Sequence, residues 1–196
     1  MIVRGASPED VPRVADLHAA RIGVGFLARL GPHFLRRLYR RVTRSPYAFL
    51  FVAEERGEIA GFLAGASDLR RFYRSFAARD AVVAGTVAAP RLIRSLPQAI
   101  ETFRYPAGSD ELPAAEILAV AVDVGCIGRG VGRALVDEGT AEFRRRGVEA
   151  AKVVAGAGNT AALRLYEGAG FAPRGRTAVH RGTASEVLVW SSSSPS

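Results

Sequence analysis

Glu116-Ile117-Leu118-Ala119-Val120-Ala121-Val122, continued by Asp123-Val124-Gly125-Cys126-Ile127-Gly128-Arg129-Gly130-Val131-Gly132, is the stretch on which the reading of this chain turns. Its first seven residues form an apolar run, short and rich in Val and Ile, that predicts a buried strand. The glycine-rich segment follows at once. Arg133-Ala134-Leu135-Val136-Asp137-Glu138 then opens a run of good helix formers that continues to Arg146, where Gly147 stops it. A glycine loop therefore joins the end of a strand to the start of a helix. The first turn of a helix leaves backbone N–H groups unpaired and carries the positive end of the helix dipole. With no Cβ at positions 128, 130 and 132, an anion can lie against several amides, and Arg129 and Arg133 add charge beside them. Two readings stand: a phosphate cradle, or a tight strand-to-helix turn that uses glycine for backbone freedom alone.

The spacing narrows the choice of phosphate. No Lys-Ser or Lys-Thr follows the glycines, which argues against a nucleotide-triphosphate loop. A dinucleotide fingerprint would need its third glycine where Arg133 stands, and would lie near the start of a repeated βαβ unit rather than this late in the chain.

Outward from this stretch, strands are expected over 148–155, 174–180 and 185–190, with a short helix over 160–167. Strand period two places Glu116, Leu118, Val120 and Val122 on one face of the central strand. Toward the start of the chain, Ile2 to Gly5 reads as a strand and Ser7-Pro8-Glu9-Asp10 as a helix start, with Ser7 as N-cap and Pro8 at the first helical position. Val11, Val14, Leu17 and His18 recur at helical spacing, which makes His18 a packed histidine rather than a ligand. Phe26, Leu27, Leu30, Phe34, Leu35, Leu38 and Tyr39 form the apolar face of a second helix, with Arg36, Arg37, Arg40 and Arg41 on a solvated face. Residues 48–54 and 58–65 read as strands joined by the hairpin turn Glu55-Arg56-Gly57. A helical insertion is expected over 68–105, with Leu69, Phe72, Tyr73 and Phe76 on one face and a break at Pro97. It would roof a substrate site, form a homodimer contact or cover the sheet edge.

The 196 residues suffice for one domain, expected over 1–190, with a disordered tail over 191–196. Hydrophobic residues at 48% and charged residues at 23% are an ordinary globular balance, and no window approaches a membrane span. Met1 to Arg4 lacks a signal-peptide pattern and the lone Cys126 cannot make an internal disulfide, so the expected location is cytoplasmic. The formal charge of +8 comes from 27 basic residues, all arginine but Lys152, spread over the whole length. Without an aromatic-interleaved basic patch, zinc-finger spacing or an RNA-binding signature, they argue against nucleic acid as a partner.

The run from Val122 to Leu135 resembles the acyl-CoA loop of the GNAT superfamily of N-acyltransferases. Asn159-Thr160-Ala161-Ala162-Leu163-Arg164-Leu165-Tyr166-Glu167-Gly168-Ala169-Gly170-Phe171 resembles its second signature: Asn, then Ala, then Leu-Tyr, then Gly-Phe, in order and spacing. The family pattern in the loop is Arg or Gln, two residues, Gly, one residue, then Gly or Ala. Ile127 stands at its first position, so the backbone cradle survives and the side-chain contact to a pyrophosphate does not. The resemblance covers the C-terminal half by motif and the N-terminal half by the order of elements. It implies an α/β (α+β) fold with a mixed six- to seven-stranded sheet flanked by helices, and an insertion between the third and fourth strands.

The same resemblance implies acetyl-CoA as cosubstrate, no metal, and direct attack of an acceptor amine on the thioester. The strand over 148–155 would splay from the central strand and admit the pantetheine arm. Val120, Val122 and Val124 would meet the acetyl group and pantetheine through their backbones. Ile127, Gly128, Arg129, Gly130, Val131 and Gly132 would take the pyrophosphate, with Arg133 nearby, and Asn159 would bond the pantetheine or the strand edge. Tyr166, a weakly acidic phenol, would protonate the leaving thiolate. Glu116 would be the base, its carboxyl raised by partial burial and acting through water; Asp123 and His180 are weaker candidates. Cys126 reads as a small apolar filler. The leading functional reading is acetylation of a small-molecule amine, with an amino sugar suggested by the Phe26 to Leu35 pattern. Protein or peptide acetylation and a non-catalytic acyl-CoA sensor are the alternatives, and no membrane partner is expected.

Overall fold

A computed structural model describes residues 1–22, 31–75, 112–180 and 183–193. The strands are β1 (Ile2–Gly5), β2 (Ala48–Glu55), β3 (Glu58–Ala66), β4 (Ala115–Val122), β5 (Ala150–Gly156), β6 (Ala172–His180) and β7 (Thr183–Ser191). The helices are α1 (Val11–Arg21), α2 (Gly31–Val42), α3 (Val131–Arg145) and α4 (Thr160–Gly168), with a further helical segment over 69–75. The strands form one mixed sheet in the order β1-β2-β3-β4-β5-β7-β6. Every neighbouring pair is antiparallel except β4 and β5, whose parallel pairing requires a crossover, and α3 supplies it.

Local chemistry accounts for most of these elements. Between β2 and β3 the turn residues Arg56 and Gly57 both have positive φ, 54° and 82°, the primed hairpin geometry that matches the twist of the flanking strands. β2 is buried on both faces and reads as an unbroken apolar run for that reason. One layer packs α3 and α4 on the sheet, with Phe49, Leu63, Leu135, Phe143, Tyr166 and Trp190 at its centre. The opposite layer packs α1, α2 and the 69–75 segment, around Val14, Leu17, Tyr39, Phe62 and Phe72. Each of the largest side chains here contributes about 2–3 kcal/mol by burial.

Two expectations are corrected. The first helix begins at Val11, with Asp10 as its N-cap and Pro12 in its first turn, while Ser7 to Asp10 form a separate turn. Asp10 draws the chain into that turn because its carboxylate accepts from Ser7 N–H at 2.7 Å, Ser7 Oγ at 3.1 Å and Arg4 Nη1 and Nη2 at 2.7 and 3.0 Å. The second correction concerns β4. Ala64 pairs with Ala119 but Gly65 with Ile117, so Leu118 is an extra residue, a β-bulge. Ala115, Ile117, Val120 and Val122 consequently face the α3 layer, whereas Leu118, Ala119 and Ala121 face the α1 layer. An even alternation from Glu116 to Val122 does not hold.

The Arg4–Asp10 contact ties β1 to the start of α1, and Arg4 Nε also donates to Glu54 at 2.9 Å. Arg4 foremost, then the Ser7 N–H, holds the Asp10 carboxyl below its ordinary range. Its stabilising effect is complete above the unfolded value near pH 4 and is lost as pH falls through the lower folded value. Asp10→Ala is expected to cost about 2 kcal/mol at pH 7, discounted for the part-exposed Arg4. Urea unfolding of both proteins at pH 7 and pH 2.5 checks this, and the gap between them should narrow at the lower pH.

The expected insertion is described only over 68–75, where the Asp68 carboxylate accepts from Arg71 N–H at 2.8 Å and starts the helical segment. Its remainder and the Phe26 to Leu30 part of the second helix lie outside the described residues. Arg41 departs from the solvated face expected of it, since its Nη2 donates to the Ser75 carbonyl at 2.6 Å. Ser191 ends β7 rather than opening the tail expected from there, since its backbone pairs with Ala150.

Candidate active site

β4 and β5 are paired only over Ala115–Ala151, Glu116–Lys152 and Ile117–Val153. Beyond that, β4 continues from Leu118 to Val122 beside β3, and β5 from Val154 to Gly156 beside β7, so the two strands part within the sheet. Asp123 N–H donates to Ala60 on β3 at 2.8 Å. Alternation along a strand then turns the backbone groups of Val122 and Val120 the other way, toward the gap. Among the described residues no strand pairs with that edge, which sits in the middle of the sheet.

The gap leads to the glycine loop. The Asp123 carboxylate accepts from Gly125 N–H at 3.1 Å and from Arg13 Nη2 at 2.6 Å, shaping one 3₁₀ turn over Val124–Cys126. Gly128 and Gly130 have φ of 78° and 80°, a conformation that disfavours side chains, and Gly130 is the N-cap of α3. The first intrahelical bond is Ala134 N–H to Gly130 C=O, so the amides of Val131, Gly132 and Arg133 have no acceptor within the helix. Ile127, Gly128, Arg129 and Gly130 are exposed. Within the loop the Ile127 and Arg129 N–H groups donate to the Val124 and Cys126 carbonyls at 3.3 and 3.4 Å, so it is the Val131, Gly132 and Arg133 amides that make an electropositive helix N-terminus suited to a pyrophosphate. The side chains add less than expected. Arg129 is ion-paired with Glu55, and Arg133 Nε donates to Asp137 at 2.7 and 2.8 Å. Ile127 and Val124 are 56% and 65% exposed.

Tyr166 lies in the α3-side core, the layer that holds Ala155 and receives Val120 and Val122 at the edges of the gap. Its ring meets Phe171 edge-on at 5.7 Å, and its carbonyl accepts from Ala169 and Phe171 N–H, both at 3.0 Å. Burial pushes its phenol well above the ordinary value, which keeps the hydroxyl protonated. Asn159 caps α4: its Oδ1 accepts from Ala162 N–H at 3.1 Å, and its own N–H donates to Gly156 at the end of β5 at 2.8 Å. That oxygen therefore caps the helix.

Glu116 is 4% exposed and faces the α1 layer, opposite its neighbours Ala115 and Ile117, so it and Tyr166 lie on different faces of the sheet. Lys152 Nζ stands 3.4 Å from Glu116 Oε2, and among the described residues no other donor reaches that oxygen. Burial raises the Glu116 carboxyl and the nearby ammonium partly offsets it. Tyr73 senses the same charge, its phenol raised by burial and then by Glu116. Reading the sequence missed Lys152, whose one signal was a lone lysine inside the apolar run from Ala150 to Ala155. Asp123 makes a poor base, because Gly125 N–H and then Arg13 hold its carboxyl low. His180 ends β6. His18 is packed as expected, its Nδ1 2.6 Å from Tyr39 Oη, and burial pushes it down to about 4. Among the described residues no cluster of His, Cys, Asp and Glu could hold a metal ion, and no helix is long and apolar enough to cross a membrane.

A ribosomal-protein-alanine N-acetyltransferase from Brucella melitensis shares the fold, with a TM-score of 0.65 at 18% identity over 97% of this chain and 99% of that one. So does yncA from Salmonella typhimurium, solved with its cofactor acetyl-CoA, with a TM-score of 0.64 at 16% identity over 97% and 92%. In sequence, the chain is 40% identical over 65 residues to mycothiol acetyltransferase of Propionibacterium freudenreichii subsp. shermanii, a match spanning 33% of this chain and 21% of that protein. The model of the acetyltransferase (GNAT) family matches residues 24–171, a span that holds the parted strands, the glycine loop and Tyr166 together. This chain belongs to the acetyltransferase (GNAT) family.

Proposed function

We propose that the chain moves the acetyl group of acetyl-CoA to a primary amine of a small molecule. The observation that carries this is the gap between β4 and β5, with backbone on its β4 edge that no described strand pairs and the α3 N-terminus at its mouth. The backbones of Val120, Val122 and Val124 would hold the pantetheine and acetyl end, and the amides from Ile127 to Gly132 the pyrophosphate, with Arg129 and Arg133 beside it. Bound there, acetyl-CoA supplies a thioester carbonyl open to attack. Glu116 takes the proton that the acceptor's ammonium must lose, and Tyr166 gives one to the departing sulfur. The reaction is proposed to run in the cytoplasm.

The acceptor is the open part. An amino sugar is the first class to test, and mycothiol-related amines, spermidine and peptide N-termini follow from the names of similar proteins. Ile127 and the acid-paired Arg129 and Arg133 favour one second reading, a weakly binding acyl-CoA sensor. Calorimetric titration with acetyl-CoA, then thiol release with that amine panel, separates the two. Binding with turnover supports the enzyme, binding with no turnover on any amine favours the sensor, and no binding overturns both. Gly130→Val should weaken acetyl-CoA binding about tenfold or more, because a β-branched residue strains at φ 80° and its side chain enters the cradle.

A further inference from the structure

Among 27 basic residues, lysine occurs once, and that residue is buried. Lys152 is 5% exposed in the middle of β5, and its register partner across the parallel rungs is Glu116. Its ammonium also donates to the Pro113 carbonyl just ahead of β4, which keeps it beside the carboxylate. The pair stands one rung before the strands part. A buried ion pair is a poor device for stability, since neutral groups of similar volume often serve as well or better. Arginine, used everywhere else in this chain, cannot offer a compact ammonium at such a rung.

We propose that Lys152 is a positioning residue for acetyl transfer: its ammonium, 3.4 Å from Glu116 Oε2 at the head of the gap, holds that carboxylate ionised to take the acceptor's proton. This rests on Glu116 being the base. In the step it serves, an N–H bond of the acceptor's ammonium breaks and an O–H bond forms on the Glu116 carboxylate. The electron pair stays on nitrogen for attack on the thioester, and the proton passes later to solvent.

Among the described residues, the charged and titratable groups acting on Glu116 are Lys152 from β5 and Tyr73 from the 69–75 segment; His18 on α1 and Tyr39 on α2 are bonded to each other. Without the ammonium, burial acts on Glu116 unopposed and its pKa rises. A protonated Glu116 takes no proton, so the acidic limb of activity moves to higher pH.

The test is an NMR titration of side-chain carbon-13-labelled glutamate in the full chain, with the Glu116 resonance assigned by its loss in Glu116→Gln. The midpoint should rise by about one pH unit or more in Lys152→Met and by less in Lys152→Arg, and the acidic limb of kcat/KM should move with it. An unmoved midpoint overturns the proposal. Wild-type turnover in Glu116→Gln would instead remove the base reading itself, whatever the midpoint does. If Lys152→Met does not fold, Glu116→Gln/Lys152→Met decides the matter: melting at or above the wild-type temperature fits a pair kept for function. A clear drop would show that the pair serves structure, and would also overturn the proposal.

Discussion

Tyr166→Phe should lower kcat by about 10²- to 10⁴-fold while acetyl-CoA binding persists. The substitution removes one oxygen and keeps the ring, so the edge-on contact with Phe171 and the carbonyl bonds that fix the end of α4 survive. If Tyr166 serves packing alone, turnover should barely change, since a phenylalanine fills the same space. Burial also fixes the pH signature. With its phenol raised, Tyr166 stays protonated to beyond pH 10 and adds no basic limb below that value. Stopped-flow thiol release across pH, beside calorimetric binding of acetyl-CoA, reads both points. A variant with unimpaired turnover would return the acid role to solvent.

Gly61→Val should destabilise the fold by about 3 kcal/mol, near 10 °C in melting temperature, and weaken acetyl-CoA binding as well. A Cβ at Gly61 would stand 2.9 Å from the Ala121 carbonyl oxygen, 3.0 Å from Val131 and 3.1 Å from Leu135. Side chains can turn aside, but the carbonyl moves only if β4 moves. On α3, Gly139 lies equally close to Leu63, with 3.0 Å left for a Cβ. These two glycines let the helix lie against β3, and that approach sets its N-terminus at the end of β4. The second effect therefore follows from the first. Thermal melting with and without acetyl-CoA checks it: a wild-type ligand-induced shift in the variant would show that the helix start is positioned by other contacts.

What could be read in the sequence was local. The β2–β3 hairpin, the glycine loop and α4 were legible because each is encoded within a dozen residues, in turn chemistry, missing Cβ atoms or a short local motif. The start of α1 was misjudged because Asp10 answers to Arg4, on the preceding strand. The bulge at Leu118 was hidden inside a run where nearly every residue is apolar and either face would suit it. Lys152 was passed over because its partner is set by parallel register, a relation between residues 36 apart in the chain. Glu116 stood out in the sequence as a carboxylate at the head of an apolar run, but its depth and its ion pair belong to the assembled sheet.

The bulge has one more effect. By inserting Leu118 it lets Glu116 look toward α1 while Val120 and Val122, a few residues on, look toward α3. In the proposed reaction the parting of the strands is a window with a different group on each sill: Glu116, the proposed proton acceptor, on one side, and Tyr166, the proposed donor, on the other. On that proposal the amine and the thioester come from opposite sides of the sheet and meet in the frame without sharing a doorway. The proposal then predicts kinetics through a ternary complex, with no acetyl group parked on the protein. It also predicts that the α1 side can be reshaped for a new amine while the α3 side keeps its hold on the donor.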